Sequence, residues 1–117
     1  MRGAKRGLAA GWLLAVSPLA WCHAVLVEGN PQSGASVAGP TVPVTLRFNS
    51  RIDGKRCRLT ATGADGKETV LTMLPQTAPD TIASELKGAR RGRCRIRWQV
   101  LASDGHITGG QLVFQVQ

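Results

Sequence analysis

The sequence predicts an all-β domain, a sandwich or barrel of short antiparallel strands. Three observations carry this. Apolar and polar residues alternate with period 2 in several segments, turn-forming clusters separate those segments, and no stretch has a strong helical pattern. A period of 2 sets apolar side chains on one face of a strand and polar ones on the other, which is how a half-buried antiparallel strand reads.

The chain opens with MRGAKRG, which carries Arg2, Lys5 and Arg6 and no acid, followed by the apolar run LAAGWLLAVSPLAWC. A basic stretch before a short apolar core is the pattern of a secretory signal peptide. Pro18 interrupts a run already too short for a membrane span of about 20 residues. Signal peptidase requires small residues one and three places before its cut. Cutting after Cys22 puts Ala20 and Cys22 there, whereas cutting after Ala20 puts Pro18 at the third place. Acylation of Cys22 would need a small residue before it, and Trp21 is bulky. Residues 1–22 are therefore expected to be a signal peptide, and 23–117 a single small domain beginning at His23.

Along that domain, TVPVTLRF puts Val42, Val44, Leu46 and Phe48 on one face. CRLTA and ETVLTML are shorter strand candidates. APDTIASELKG has a faint helical pattern, and Pro79 before Asp80 limits it to a single turn. CRIRWQV alternates Cys94, Ile96, Trp98 and Val100 with Arg95, Arg97 and Gln99, and the end of the chain alternates Leu112, Phe114 and Val116 with Val113, Gln115 and Gln117. The intervening GNPQSG, RIDGK, GADGK, KGARRG and SDGHITGG supply the glycines, prolines and Asx residues that tight turns need. Trp98, in an apolar stripe, reads as core, and Arg47, Arg58, Arg95 and Arg97 as a solvated sheet face.

The net charge is +8, falling to +5 once Arg2, Lys5 and Arg6 are removed. Export, the few aromatics and the lack of a nucleic-acid module argue against nucleic acid as partner. Two cysteines remain after the cut, Cys57 and Cys94, both on core-facing positions at the start of similar strands. In an oxidising compartment an even pair is expected to form a disulfide, with a stabilising effect of about 3–4 kcal/mol for a loop of this length. A thiolate metal site is the alternative, with no CxxC spacing to support it.

Chemistry concentrates on two histidines. In SDGHITGG, Gly105 lets the Asp104 carboxylate and the His106 imidazole converge, which taken alone is an ordinary turn. An N-terminal His23 adds a free α-amine and a ring nitrogen able to chelate one ion. With Asp104 and His106 the set is three nitrogens and one oxygen, which suits tetragonal Cu(II), although zinc would accept the same residues in a tetrahedron.

The opening HAVLVEGNPQSGASV, the strand PVTLRF and the closing WQVLASDGHITGGQLVFQV resemble the periplasmic copper-resistance C proteins, the CopC-type domains, over nearly the whole 23–117 chain. The resemblance implies an immunoglobulin-like Greek-key β-sandwich of about seven strands. It implies one Cu(II) held by the amine and imidazole of His23 with Asp104 and His106. It also implies a periplasmic carrier or sequestering protein rather than an enzyme, here expected to be a monomer whose partners are the copper ion and an inner-membrane copper transport protein. The chain departs from the family pattern in having Val25 where a second His often stands, no acid in RFNSRI after Phe48, and only Met73 as a thioether beyond residue 22, too few for a Cu(I) site. Two other functions compete. A metal-free exported β-sandwich interaction module rests on fold analogy alone. A small copper monooxygenase-like enzyme would need a substrate face that the 23–117 chain has little room for.

Overall fold

A computed structural model describes residues 24–117. The expected signal peptide and His23 lie outside them. The described residues form eight strands: β1 (Leu26–Asn30), β2 (Ser36–Val37), β3 (Val42–Phe48), β4 (Arg58–Thr62), β5 (Glu68–Val70), β6 (Thr81–Leu86), β7 (Gly92–Leu101) and β8 (Ile107–Val116). They make two sheets, one ordered β1-β3-β6 and one ordered β2-β8-β7-β4-β5. The chain crosses between sheets after β1, β2, β3, β5 and β6, giving a sandwich, one of the two architectures that the alternation and the turns predict, with the Greek-key connections that the resemblance implies.

Alternation decides what is buried. Val42, Val44, Leu46 and Phe48 of β3 face Leu59 and Ala61 of β4, Cys94, Ile96 and Val100 of β7, and Leu112, Phe114 and Val116 of β8 across the core. Trp98 is half-buried and meets Phe48 edge to face, with ring centroids 6.2 Å apart at 71°. Gly110 lies opposite Trp98 on β8, and a Cβ there would collide with the indole, so the bare backbone is what lets that ring lie down. Gly29 has a similar role, since its absent Cβ would meet Leu112 Cδ2 of the facing sheet at 3.0 Å.

Two expectations are corrected. The faintly helical APDTIASELKG is strand β6, paired with β3 from Val42↔Leu86 to Arg47↔Thr81. Pro79 and Asp80 form a tight turn closed by the Ala78↔Thr81 bridge, and Ile82, Ser84 and Leu86 then alternate inward. Ser84 hid the period: it is buried among apolar residues, its hydroxyl donating to the Thr72 carbonyl. Pairing with β3 outweighs the weak helical propensity of the segment.

The second correction concerns Cys57 and Cys94, which are free thiols at opposite ends of one ribbon. β4 and β7 are neighbours, as a disulfide would require, but they run antiparallel with Arg58 opposite Gln99 and Thr62 opposite Arg95. Two residues that both begin their strands are therefore about 20 Å apart, the length of six strand residues. That distance is far beyond the reach of a disulfide. The Cys57 thiol donates instead to the Asp53 carbonyl at 3.0 Å. Burial raises the pKa of both thiols, and Asp53 adds to the effect at Cys57 while a backbone hydrogen bond with Leu101 opposes it.

Candidate metal centre

The β7–β8 hairpin carries two of the three expected ligands at its tip. Leu101 pairs with Ile107, Ala102 donates its N–H to the His106 carbonyl at 2.9 Å, and Gly105 donates to Ala102 at 2.9 Å. Gly105 has φ +92°, a conformation that suits glycine alone, and this makes room for the residues on either side to approach each other. Asp104 Oδ1 accepts the His106 backbone N–H at 3.0 Å, and His106 Nδ1 lies 3.2 Å from Asp104 Oδ2. These contacts, the backbone hydrogen bond first among them, hold the Asp104 carboxyl below the usual carboxylate range even though it is exposed. A carboxylate at Nδ1 favours the tautomer with its lone pair on Nε2, the arrangement that orients a histidine toward a metal.

Neighbouring segments brace the hairpin. Ser103 donates to the Arg51 carbonyl at 3.1 Å, Asp53 donates to the Leu101 carbonyl at 2.9 Å, and Ile52 bridges Ala102. Against the same end lies the first described stretch of chain. Ala24 is buried, and its carbonyl accepts the Thr108 hydroxyl at 3.1 Å, while Val25 exchanges hydrogen bonds with Asn49, donating to Oδ1 at 2.9 Å and accepting from the backbone N–H at 3.0 Å. Thr108 is in β8 of the larger sheet and Asn49 directly follows β3 of the smaller one, so together they clasp the chain at Ala24 and Val25 across the mouth of the sandwich. Sequence reasoning passed over both. RFNSRI has no acid, and its Asn49 supplies the acceptor; the signal for it in the sequence is an Asx residue just past a buried strand.

His106 and Asp104 are thus brought together, and His23 adjoins the clasped Ala24 in the chain but lies outside the described residues. Among the described residues, no three of His, Cys, Asp and Glu form a group able to hold a metal ion. Asp104 and His106 alone are too few for any common metal geometry. Met73 is half-buried against the core.

The sequence of residues 26–117 matches the CopC domain model. Protein YobA of Escherichia coli K12 is 26% identical over 107 residues, covering 87% of this chain and 85% of that protein. Among solved structures, CopC from Methylosinus trichosporium OB3b superposes with a TM-score of 0.74 at 26% identity, covering 81% of this chain and 94% of its own. PcoC, a methionine-rich copper resistance protein from Escherichia coli, superposes with a TM-score of 0.63 at 24% identity, covering 81% and 99%. With the family model spanning nearly all of the described chain and the sandwich shared with CopC, this protein belongs to the CopC family, whose members are copper-binding proteins of copper resistance and not enzymes.

Proposed function

We propose that the chain is exported to the periplasm, is cut after Cys22, and holds one Cu(II) as a carrier or sequestering protein. The α-amine and imidazole of His23 chelate the ion, and Asp104 and His106 complete the set. The observation that carries this reading is the Thr108–Ala24 hydrogen bond. It tethers the residue next to His23 to β8 only two residues from His106, whose imidazole already faces Asp104. A donor pair on the hairpin is incomplete by itself, and a terminal histidine supplies the two nitrogens that it lacks. Copper is the cargo here, and no redox step of the protein is invoked. The domain is expected to act as a monomer and to exchange copper with an inner-membrane copper transport protein.

The mass of the secreted protein tests the start at His23. Cu(II) titration followed by electron paramagnetic resonance then tests the donors. The 23–117 protein is expected to bind one Cu(II) with a tetragonal, nitrogen-rich spectrum. A protein that begins at His23 and retains no copper after dialysis would instead support a metal-free interaction module.

A further inference from the structure

The two outer faces of the sandwich differ in charge. On the five-stranded sheet, Val70, Thr60, Arg97 and Gln111 form one cross-strand row and Glu68, Thr62, Arg95 and Val113 the next, with Arg58 opposite Gln99 and Arg93 opposite Gln115. Arg93, Arg95 and Arg97 therefore run down the outside of β7, the central strand, about 7 Å apart. Four guanidinium groups among the described residues share this face with a single carboxylate, that of Glu68. Among the described residues none of the four is in an ion pair. The outer face of the three-stranded sheet carries Glu28, Glu85 and Arg47, with Arg47 bonded to Glu28 at 3.2 Å. The balance is thus +3 on one face and −1 on the other, across a sandwich about 10 Å from sheet to sheet.

Like charges at adjacent positions of one strand face repel, and the single carboxylate of Glu68 leaves them largely unbalanced. We propose that the outer face of the five-stranded sheet docks on an anionic phospholipid bilayer, with β7 lying along the headgroups. The residues between the arginines are Thr60, Gln99, Gln111 and Gln115, uncharged hydrogen-bonding groups, with half-buried Val113 and with Thr62, whose hydroxyl is buried. The face lacks the aromatic or apolar centre around which protein interfaces are built, its exposed apolar residues Val70 and Ile107 being on different strands at opposite margins. Guanidinium forks match the oxygens of phosphodiesters, and each arginine near an anionic surface strengthens partitioning about fivefold. Ile107, which begins β8, belongs to this face and follows His106 directly. The Asp104–His106 hairpin is therefore at the edge of the docked face. The inference stands whether or not that hairpin binds copper.

The test is sedimentation of the 23–117 protein with vesicles. Binding is expected to mixed phosphatidylglycerol–phosphatidylcholine vesicles in low salt, to be absent from pure phosphatidylcholine, and to be lost in about 1 M salt, where the screening length falls to about 3 Å. Arg93→Gln, Arg95→Gln and Arg97→Gln together should weaken partitioning at least about tenfold. Removing the same charge elsewhere, with Arg51→Gln, Lys55→Gln and Lys87→Gln, should change it less than about threefold. Circular dichroism checks folding, and Arg58→Gln with Arg97→Gln replaces the triple variant if that one does not fold. Equal losses in the two sets would reduce the effect to net charge and overturn the proposal. So would a protein that ignores the anionic vesicles in low salt yet is retained on a polyglutamate column through the β7 arginines, which points to an acidic protein partner.

Discussion

The two ends of the sandwich are both built from glycine-rich turns, yet one is braced from several remote segments and the other chiefly by Ala89 donating to the Pro40 carbonyl at 2.8 Å. At the hairpin end, backbone bonds from Ser103 and Asp53, the Ile52↔Ala102 bridge and the Thr108–Ala24 clasp tie three separate segments together. Gln76 adds to them, donating to the Ile52 carbonyl at 3.2 Å and accepting the Gly54 N–H at 3.1 Å. At the far end, the Gly63–Lys67 turn and the Lys87–Gly92 connection part around a cleft of about 390 Å³ floored by Leu86, Ala89, Cys94 and Val116. Composition does not distinguish GADGK from SDGHI. What marks the site is convergence of remote segments on one turn, because a ligand set must be held by elements that cannot drift independently.

If the braced end is the copper site, substitutions there should change metal affinity and those at the far end should not. The largest effect is expected from His106→Ala or from a glycine added before His23. Each removes a nitrogen donor outright, and each should weaken Cu(II) binding by more than the roughly 10–100-fold typical of residues that only support ligands. Competition titration against a copper chelator measures it, with Lys87→Ala at the far end as the unchanged reference. Undiminished affinity in the extended protein would break the link between the clasp and the metal.

Next come the clasp residues. Thr108→Val and Asn49→Ala touch no proposed ligand, and each should reduce Cu(II) affinity about 10-fold while lowering folding stability by about 1 kcal/mol in urea. A stability change with copper affinity intact would make the clasp merely structural. Gly110→Ala should act on stability alone, by about 1–3 kcal/mol, because the new methyl displaces the Trp98 indole. The 23–117 protein, unfolded without reductant, should titrate with two free thiols, and in the folded protein buried Cys94 should react more slowly than half-buried Cys57.

The smallest effect concerns pH. Asp104 titrates below its ordinary value near 3.8, so its carboxylate favours the folded, copper-free state above that pH, and this contribution disappears as acidity carries the group through its lowered folded value. Asp104→Asn should therefore slightly flatten the acid limb of the stability profile and slightly lower the neutral and alkaline plateau without changing its slope.

Strands β3, β7 and β8 were legible in the sequence because each buries an unbroken row of apolar residues on one face. β6 was not, since a serine fills its central inward position and takes its partner from a distant loop. Asp104 and His106 were legible because the whole device is local, a glycine between two polar residues. The clasp was not, because Thr108 and Ala24 are 84 positions apart and nothing in either residue names the other. The cysteine expectation failed on strand direction: similar strands beginning with Cys suggest adjacency, which is true, but only an antiparallel register shows that adjacent strands have their starts at opposite ends.

The lengths of the outermost strands bear on how the protein behaves when crowded. β2 and β5, at the two margins of the larger sheet, have two and three residues. β2 covers only Gln115 and Val116 of the ten-residue β8, so much of that long backbone is turned toward solvent. The Thr108–Ala24 bond closes it above, and Gly34 donating to the Val113 carbonyl closes it below. Between them lie four residues, Gly109 to Leu112, beginning with two glycines that are poor partners for an incoming strand. An invading chain would find a landing too short to nucleate cross-β stacking, which takes about six residues. The same hydroxyl that anchors Ala24 thus also guards the sheet against templated aggregation.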